Sequence, residues 1–262
     1  MNATTIRDPR KLAGVLLADP TGAAYLLGDL EEPYFKHTRW FGACTNEGAI
    51  RTVLLVYTGL DTPVLLTYGE REGLVNILET KSHHLPENCF GLLWPGHDAT
   101  FEKIYNPAST RRMIRMGLES RAFRPSGSAN EALPLAAKDL PDLMDLMEHY
   151  PGNFFEPSMF REGLYYGIRL DGRLVSAGGV HTYSPTHGVA AIGNIVTHGE
   201  YRRRGLASSC TRTLVRSLLR EVDHIALNVE ESNTAAIRCY EPLGFAVHMN
   251  YSEGVYRKRD MA

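Results

Sequence analysis

Residues 189–220 carry an apolar run, a basic break, and a second apolar run with a different period. Val189-Ala190-Ala191-Ile192-Gly193-Asn194-Ile195-Val196 is short and nearly continuous, the pattern of a buried strand. From Ser208 to Arg220 the apolar residues fall at Cys210, Leu214, Val215, Leu218 and Leu219, which is one face of a helix. The break reads Arg202-Arg203-Arg204-Gly205-Leu206-Ala207. A strand that passes through a short loop directly into a helix is an α/β building step. The first turn of such a helix has free backbone N–H groups and the positive end of the helix dipole. A glycine lets an anion approach the backbone closely, and arginines add charge-assisted hydrogen bonds. The loop is therefore a candidate phosphate site; the plain alternative is a solvated basic turn.

A second segment has the same construction. Residues 227–245 read Leu-Asn-Val-Glu-Glu-Ser-Asn-Thr-Ala-Ala-Ile-Arg-Cys-Tyr-Glu-Pro-Leu-Gly-Phe. Leu-Asn-Val closes a strand that starts near His224, and Asn233 is a good N-cap for a short helix from Thr234 to Glu241. Pro242 and Gly244 end that helix. Two helical turns separate Asn233 from Tyr240, so both lie on one face.

Together these segments resemble the GCN5-related N-acetyltransferase (GNAT) superfamily. Arg202-Arg203-Arg204-Gly205-Leu206-Ala207 matches the family's pyrophosphate loop, Gln/Arg-x-x-Gly-x-Gly/Ala. Asn233-x-x-Ala236-x-x-x-Tyr240-x-x-Leu243-Gly244-Phe245 matches its second cofactor motif. The resemblance covers the second half of the chain, from about Glu131 onward, and looks closest to the FR47-like branch with the glycine N-acyltransferase-like proteins. It implies an α/β fold with a mixed sheet, acetyl-CoA or coenzyme A as co-substrate, and direct attack of an amine on the thioester.

The resemblance also assigns roles. Backbone N–H groups of Arg203, Arg204, Gly205, Leu206 and Ala207, with Ser208 in the first turn, would hold the pyrophosphate, helped by the side chain of Arg203 or Arg204. Three adjacent arginines cannot all point inward, so at least one is a surface residue. Ile195, Val196 and Thr197 match the strand that pairs with the pantetheine arm, and a backbone N–H there would face the thioester oxygen. Asn233 and Ala236 match cofactor contacts; for Asn233 the competing role is a helix cap alone. Tyr240 matches the general acid. A tyrosine of pKa ~10 can donate to a thiolate of comparable basicity; the competing role is a core aromatic.

The base stays open among His181, Asn194, His198, Glu156, Glu230 and a water chain. Asn194 could only position a water, and His198 reads better as a surface histidine. No metal is expected: His83-His84 with His97 lacks a ligand spacing that supports one. Trp40 and Trp94 are expected in the core.

A chain of 262 residues has room for two ordinary domains. Residues 125–130, Pro-Ser-Gly-Ser-Ala-Asn, are the candidate linker, giving an N-terminal α/β domain over 1–125 and a catalytic domain over 130–262. After the linker, strands are expected near Ala132–Leu135, Tyr165–Leu170, Arg173–Tyr183 and Val189–Thr197, and a helix over Leu140–Met147. The first half shows strands at Thr52–Tyr57 and Val64–Tyr68, a helix at Gly73–Thr80, a strand at Cys89–Trp94, a short helix at Phe101–Tyr105 and a strand at Arg112–Glu119. From Val64 this order echoes the second half. Yet its loop is Gly69-Glu70-Arg71-Glu72, whose acids should repel pyrophosphate. The expectation is a degenerate GNAT-like half that shapes the acceptor cleft together with residues Tyr150–Arg161; the alternative is an unrelated α/β domain.

A net charge of −2 supplies no basic field for nucleic acid. No apolar stretch reaches ~18 residues, so no membrane span is expected. The N-terminus lacks a signal-peptide pattern. Cys44, Cys89, Cys210 and Cys239 are scattered and read as free thiols in a reducing compartment. The expectation is a cytoplasmic monomer or homodimer that transfers acetyl to the amine of a small molecule or amino acid. Alternatives are transfer of a larger acyl group, a non-catalytic acyl-CoA sensor, and a structural partner of another protein.

Overall fold

The structure, a computed structural model, describes residues 1–125, 131–150, 155–161 and 164–259. It is an α/β protein in two compact units, Met1–Arg115 with His248–Ala262, and Met116–Val247. The first unit begins with strand β1 (Asn2–Ile6) and helices α1 (Pro9–Leu16) and α2 (Ala24–Gly28). Strands β2 (Thr38–Cys44), β3 (Ile50–Tyr57) and β4 (Val64–Gly69) follow, then helix α3 (Arg71–Lys81), strand β5 (Asn88–Leu93) and helix α4 (Asp98–Phe101). Strand β6 (Tyr105–Glu119) runs from the first unit into the second.

The second unit has β7 (Leu133–Pro134), α5 (Leu140–Met147), β8 (Tyr165–Leu170), β9 (Arg173–Ser184), β10 (Val189–Thr197), α6 (Leu206–Leu218), β11 (His224–Glu230) and α7 (Thr234–Tyr240). Strand β12 (Ala246–Lys258) returns to the first unit, where it pairs antiparallel with β5. The division therefore falls within β6 and β12, not at the expected linker, whose residues 126–130 lie outside the described residues. Ladder hydrogen bonds decide this: β12 is bound to β5 by six residue pairs from Ser252↔Leu93 to Arg257↔Asn88, which outweigh proximity along the chain.

The repeat expected from Val64 is present and starts earlier. In the first unit β1–β2, β2–β3 and β3–β4 pair antiparallel, and β4–β5 pair parallel across α3. In the second, β7–β8, β8–β9 and β9–β10 pair antiparallel, and β10–β11 pair parallel across α6. A parallel pair needs such a crossover, which puts a helix on the sheet. The helix α3 buries Leu74, Ile77 and Leu78 against Phe41, Leu54 and Leu65 of the strands. Two patches cover the strands of the second unit: α5 with Leu143, Leu146 and Met147 against Tyr165, Ala177 and Val196, and α6 with Leu206 and Cys210 against Ile168 and Val175.

Several boundaries differ from the sequence reading. Tyr105 opens β6 instead of closing a helix. Trp40 is core at 1% exposure, whereas Trp94 is half-buried, with its ring 4.5 Å from that of Tyr68. Of the expected acceptor-side segment 150–161, residues 151–154 lie outside the described residues.

Candidate functional site

The site is set by where β10 and β11 stop pairing. Their parallel register runs from Val189↔His224 to Ile192↔Leu227 and then ends. Both strands continue, β10 to Thr197 and β11 to Glu230, so their facing backbone edges lie beyond the last pair. A bulge in β10 accompanies the parting. Gly193 pairs with Gly179 and Val196 with Ala177, so β10 carries one residue more than β9 over this interval. Asn194, inside the bulge, has φ of +53°, a conformation Asn tolerates better than most residues. Ile195, Val196 and Thr197 follow it along the open edge. On the other side Ser176 of β9 holds them, its hydroxyl donating to the Val196 carbonyl at 3.0 Å and lying 2.8 Å from Thr197 Oγ1.

The open edge leads to the start of α6. Gly205 is the N-cap at φ +74°, and no side chain caps the helix. The first bond of the helix is Ser209 N–H to the Gly205 carbonyl, 3.0 Å, so the N–H groups of Leu206, Ala207 and Ser208 precede the ladder. A Cβ built on Gly205 would meet nothing within 4 Å. Free N–H groups, a dipole end and open space fit a phosphate.

The arginines separate by what they hold. Arg202 donates to the carbonyls of Thr197 and His149, both at 3.3 Å. Arg204 donates to the Glu200 carbonyl at 3.3 Å and lies over the Tyr201 ring at 5.1 Å. Arg203 sits at φ +62°, is exposed, and has no side-chain partner among the described residues. The guanidinium left for an anion is thus that of Arg203.

The second motif meets the first across the helices. The Ser208 hydroxyl lies 3.5 Å from the Cys239 carbonyl, joining the start of α6 to the end of α7. Asn233 caps α7, its Oδ1 accepting from Ala236 N–H at 3.1 Å. Tyr240 is 8% exposed and packs edge-on to Phe245 at 6.0 Å. Burial pushes its hydroxyl well above the ordinary tyrosine value, with Cys239 and Tyr150 adding to the rise, so it is protonated at neutral pH. That hydroxyl has no hydrogen-bond partner among the described residues.

The base candidates are scattered. His198 is not a surface residue: at 7% exposure its Nδ1 accepts from Glu200 N–H at 3.3 Å and its Nε2 lies 2.9 Å from the Arg173 guanidinium. Burial, then Arg173 and His149, lower its pKa, and it caps the turn before Arg202. Glu230 accepts from Ser232 at 2.7 Å and Glu156 from Ser158 at 3.3 Å. Asn194 Nδ2 donates to the Tyr165 hydroxyl at 2.9 Å, and burial lowers the pKa of His181. Tyr165 and Ser176 carry no signal in the sequence, because their partners lie on other strands. The His97 ring is engaged by Thr67 and Gly69.

Comparison with known proteins finds likenesses of sequence and fold. Residues 133–245 match the family model described as Acetyltransferase (GNAT) family. No curated protein matches the chain. Among solved structures, a GCN5-related N-acetyltransferase from Kribbella flavida superposes with a TM-score of 0.63 at 15% identity, covering 92% of this chain and 95% of its own. One from Sphaerobacter thermophilus gives 0.60 at 16% identity, covering 98% and 95%. A tandem GNAT protein from the clavulanic acid biosynthesis pathway gives 0.60 at 14% identity, with 100% of both chains covered. At these identities the likeness is one of fold, and in the third case it extends over both units. Among the described residues no helix is long and apolar enough to cross a membrane. Residues 133–245 are thus similar in sequence to the GNAT acetyltransferase family, and the chain shares the fold of these solved structures.

Proposed function

We propose that this protein transfers an acetyl group from acetyl-CoA to a primary amine of a small molecule or amino acid, by direct attack with both substrates bound. The observation that carries this is the parting of β10 and β11 after Ile192↔Leu227, whose open edge ends at the uncapped, arginine-flanked start of α6. A slot bordered by strand edges suits an arm that pairs like an added strand, and the helix start suits the pyrophosphate behind it. The co-substrate supplies an activated acyl group as a thioester.

In this reading Gly205, Leu206, Ala207 and Ser208 hold the pyrophosphate through backbone N–H groups, and Arg203 adds its guanidinium. Ile195, Val196 and Thr197 present the strand edge, and a backbone N–H there stabilises the charge that grows on the carbonyl oxygen. Asn233 shapes the start of α7, and Ala236 keeps its first turn narrow. As the C–N bond forms and the C–S bond breaks, Tyr240 gives its proton to the departing sulfur. It regains one from the nitrogen of the new amide. The proton lost earlier by the acceptor ammonium goes to solvent.

The resemblance to the FR47-like, glycine N-acyltransferase-like branch raises larger acyl groups as a second donor class. The free thiols Cys44, Cys89, Cys210 and Cys239 suit a reducing cytoplasm. The test is CoA release across amino acids, polyamines, aminoglycosides and peptide N-termini, with acetyl-CoA and longer acyl-CoA donors in parallel. Turnover with a member of the panel is expected, fastest with acetyl-CoA. CoA binding without turnover on any amine would replace this reading with that of a sensor.

A further inference from the structure

The first unit has a cleft of about 350 Å³, lined by residues of α1, β3 and β4 and of the loops beside them. Sites for small molecules have volumes of roughly 300–1,000 Å³. Part of the wall is small and apolar: Gly14 and Val15 of α1, with Ala18 in the turn after it. Another part is aromatic. Tyr68 of β4 and Trp94, which follows β5, meet with ring centroids 4.5 Å apart. Both are held in place, Tyr68 by its burial at 7% exposure and Trp94 by its backbone N–H, which donates to Thr67 Oγ1 at 2.8 Å.

Two opposite charges stand side by side at this cleft. Thr52 pairs with Gly69 at one end of the β3–β4 ladder. Arg51 precedes Thr52 and Glu70 follows Gly69, so the two are neighbours just past that pair. Their backbones are tied. Glu70 N–H donates to the Arg51 carbonyl at 3.3 Å, and the Thr52 hydroxyl donates to the Glu70 carbonyl at 2.7 Å. Their side chains are not. Both are exposed and line the cleft, yet neither has an ion pair or a side-chain hydrogen bond among the described residues, with each other or with anything else. Arg71, next in the chain, pairs with Glu72 at 3.5 Å.

This pairing of charges selects a ligand chemistry. An anion drawn to Arg51 is repelled by Glu70, and a cation drawn to Glu70 is repelled by Arg51. A zwitterion whose two charges lie on neighbouring atoms satisfies both. A free α-amino acid has that form: its carboxylate matches the guanidinium fork and its ammonium donates to a carboxylate. An apolar side chain on it can then be covered by the Tyr68 and Trp94 rings and by Val15.

We propose that this cleft binds a free α-amino acid with an aromatic or large aliphatic side chain, its carboxylate on Arg51 and its ammonium on Glu70. The site lies within the first unit and stands independently of the acyltransferase reading.

The probe is L-phenylalanine, titrated calorimetrically into the full chain without any acyl-CoA. It should bind with a Kd below about 1 mM. Arg51→Gln and Glu70→Gln, both at exposed positions, should each weaken it by about five- to tenfold while CoA affinity holds. Phenethylamine, which lacks the carboxylate, and 3-phenylpropionate, which lacks the ammonium, should bind the wild type more weakly by a similar factor. No binding of phenylalanine to the wild type would overturn the proposal. Binding that survives both substitutions unchanged would place the amino acid elsewhere, at an acceptor site for instance, and would overturn it too. Either analogue binding as tightly as phenylalanine would overturn the pairing with both charges.

Discussion

Each unit sends a strand out of a parallel pair and into a helix, but only one leaves the gap open. In the second unit β10 runs past Ile192 with an open edge to Thr197, and the loop after it ends at Gly205, where a Cβ would meet nothing within 4 Å. In the first unit β4 parts from β5 after Leu66↔Leu92, and hydrogen bonds of Thr67 and His97 span the gap. Trp94 N–H donates to Thr67 Oγ1 at 2.8 Å, Thr67 lies 2.9 Å from His97 Nδ1, and His97 Nε2 reaches the Gly69 carbonyl at 3.1 Å. Since that carbonyl only accepts, Nε2 carries the proton and Nδ1 accepts from Thr67. The loop is closed too. Gly69 has φ +101°, a Cβ there would overlap the Arg51 carbonyl, and Thr52 donates to the Glu70 carbonyl at 2.7 Å. Glu70 and Glu72 stand where the other loop has arginines. The topology is shared, and space and charge make the difference. A fold supplies the place for a site and not the site itself.

The comparison can be broken most sharply at Gly205. Gly205→Glu puts a carboxylate and a side chain at φ +74° into the proposed cradle. Like charge there costs several kcal/mol, so CoA affinity should fall by about 100-fold or more. Calorimetry checks this, with circular dichroism to confirm the fold; retained affinity would remove the phosphate assignment. Tyr240→Phe deletes only a proton donor, and kcat should drop by about 100-fold with KM for acetyl-CoA little changed. Equal kcat would take Tyr240 out of the acid role.

The spanned gap makes a prediction about pH. Burial lowers the pKa of His97 from 6.5 to about 4, so the unfolded chain binds a proton that the folded one refuses between those values. Stability is then full above pH 6.5 and is lost as pH falls toward 4, by an amount on the order of 3 kcal/mol. Chemical denaturation of wild type and His97→Gln at pH 7.5 and 4.5 measures it. The wild type should lose more stability on acidification; parallel losses would contradict the neutral, buried ring. A smaller effect separates the arginines. Arg203→Ala should weaken CoA binding by about tenfold and flatten its salt dependence, whereas Arg202→Ala and Arg204→Ala, whose guanidinium groups hold protein carbonyls, should change it less. A larger loss at Arg202 or Arg204 would reverse this assignment.

Much of this was legible in the sequence, because local patterns carry it. The strand–loop–helix steps at 189–218 and 224–240 follow from periodicity, one glycine and one cap, and α3, β4 and β5 were placed within a few residues. What escaped depends on partners distant in the chain. β1 and the full length of β12 exist through ladder bonds that no local pattern records. The bridge across the gap needs Thr67, Trp94 and His97 together, and as single residues they read as core or as a stray histidine. In the first loop the acids are visible in the sequence, whereas the Thr52 hydroxyl and the Arg51 carbonyl that close it are not. His198 looked like surface because its partner, Arg173, lies on another strand. Tyr165 became meaningful only beside Asn194.

The central claim is that one unit binds acyl-CoA and the other, built on the same plan, does not. Calorimetric titration of the wild-type protein with CoA tests it directly, with His97→Ala alongside. The account predicts one site per chain in both, since opening the bridge leaves the closed loop and its acids in place. Two sites in the wild type, or a second site appearing in His97→Ala, would contradict it.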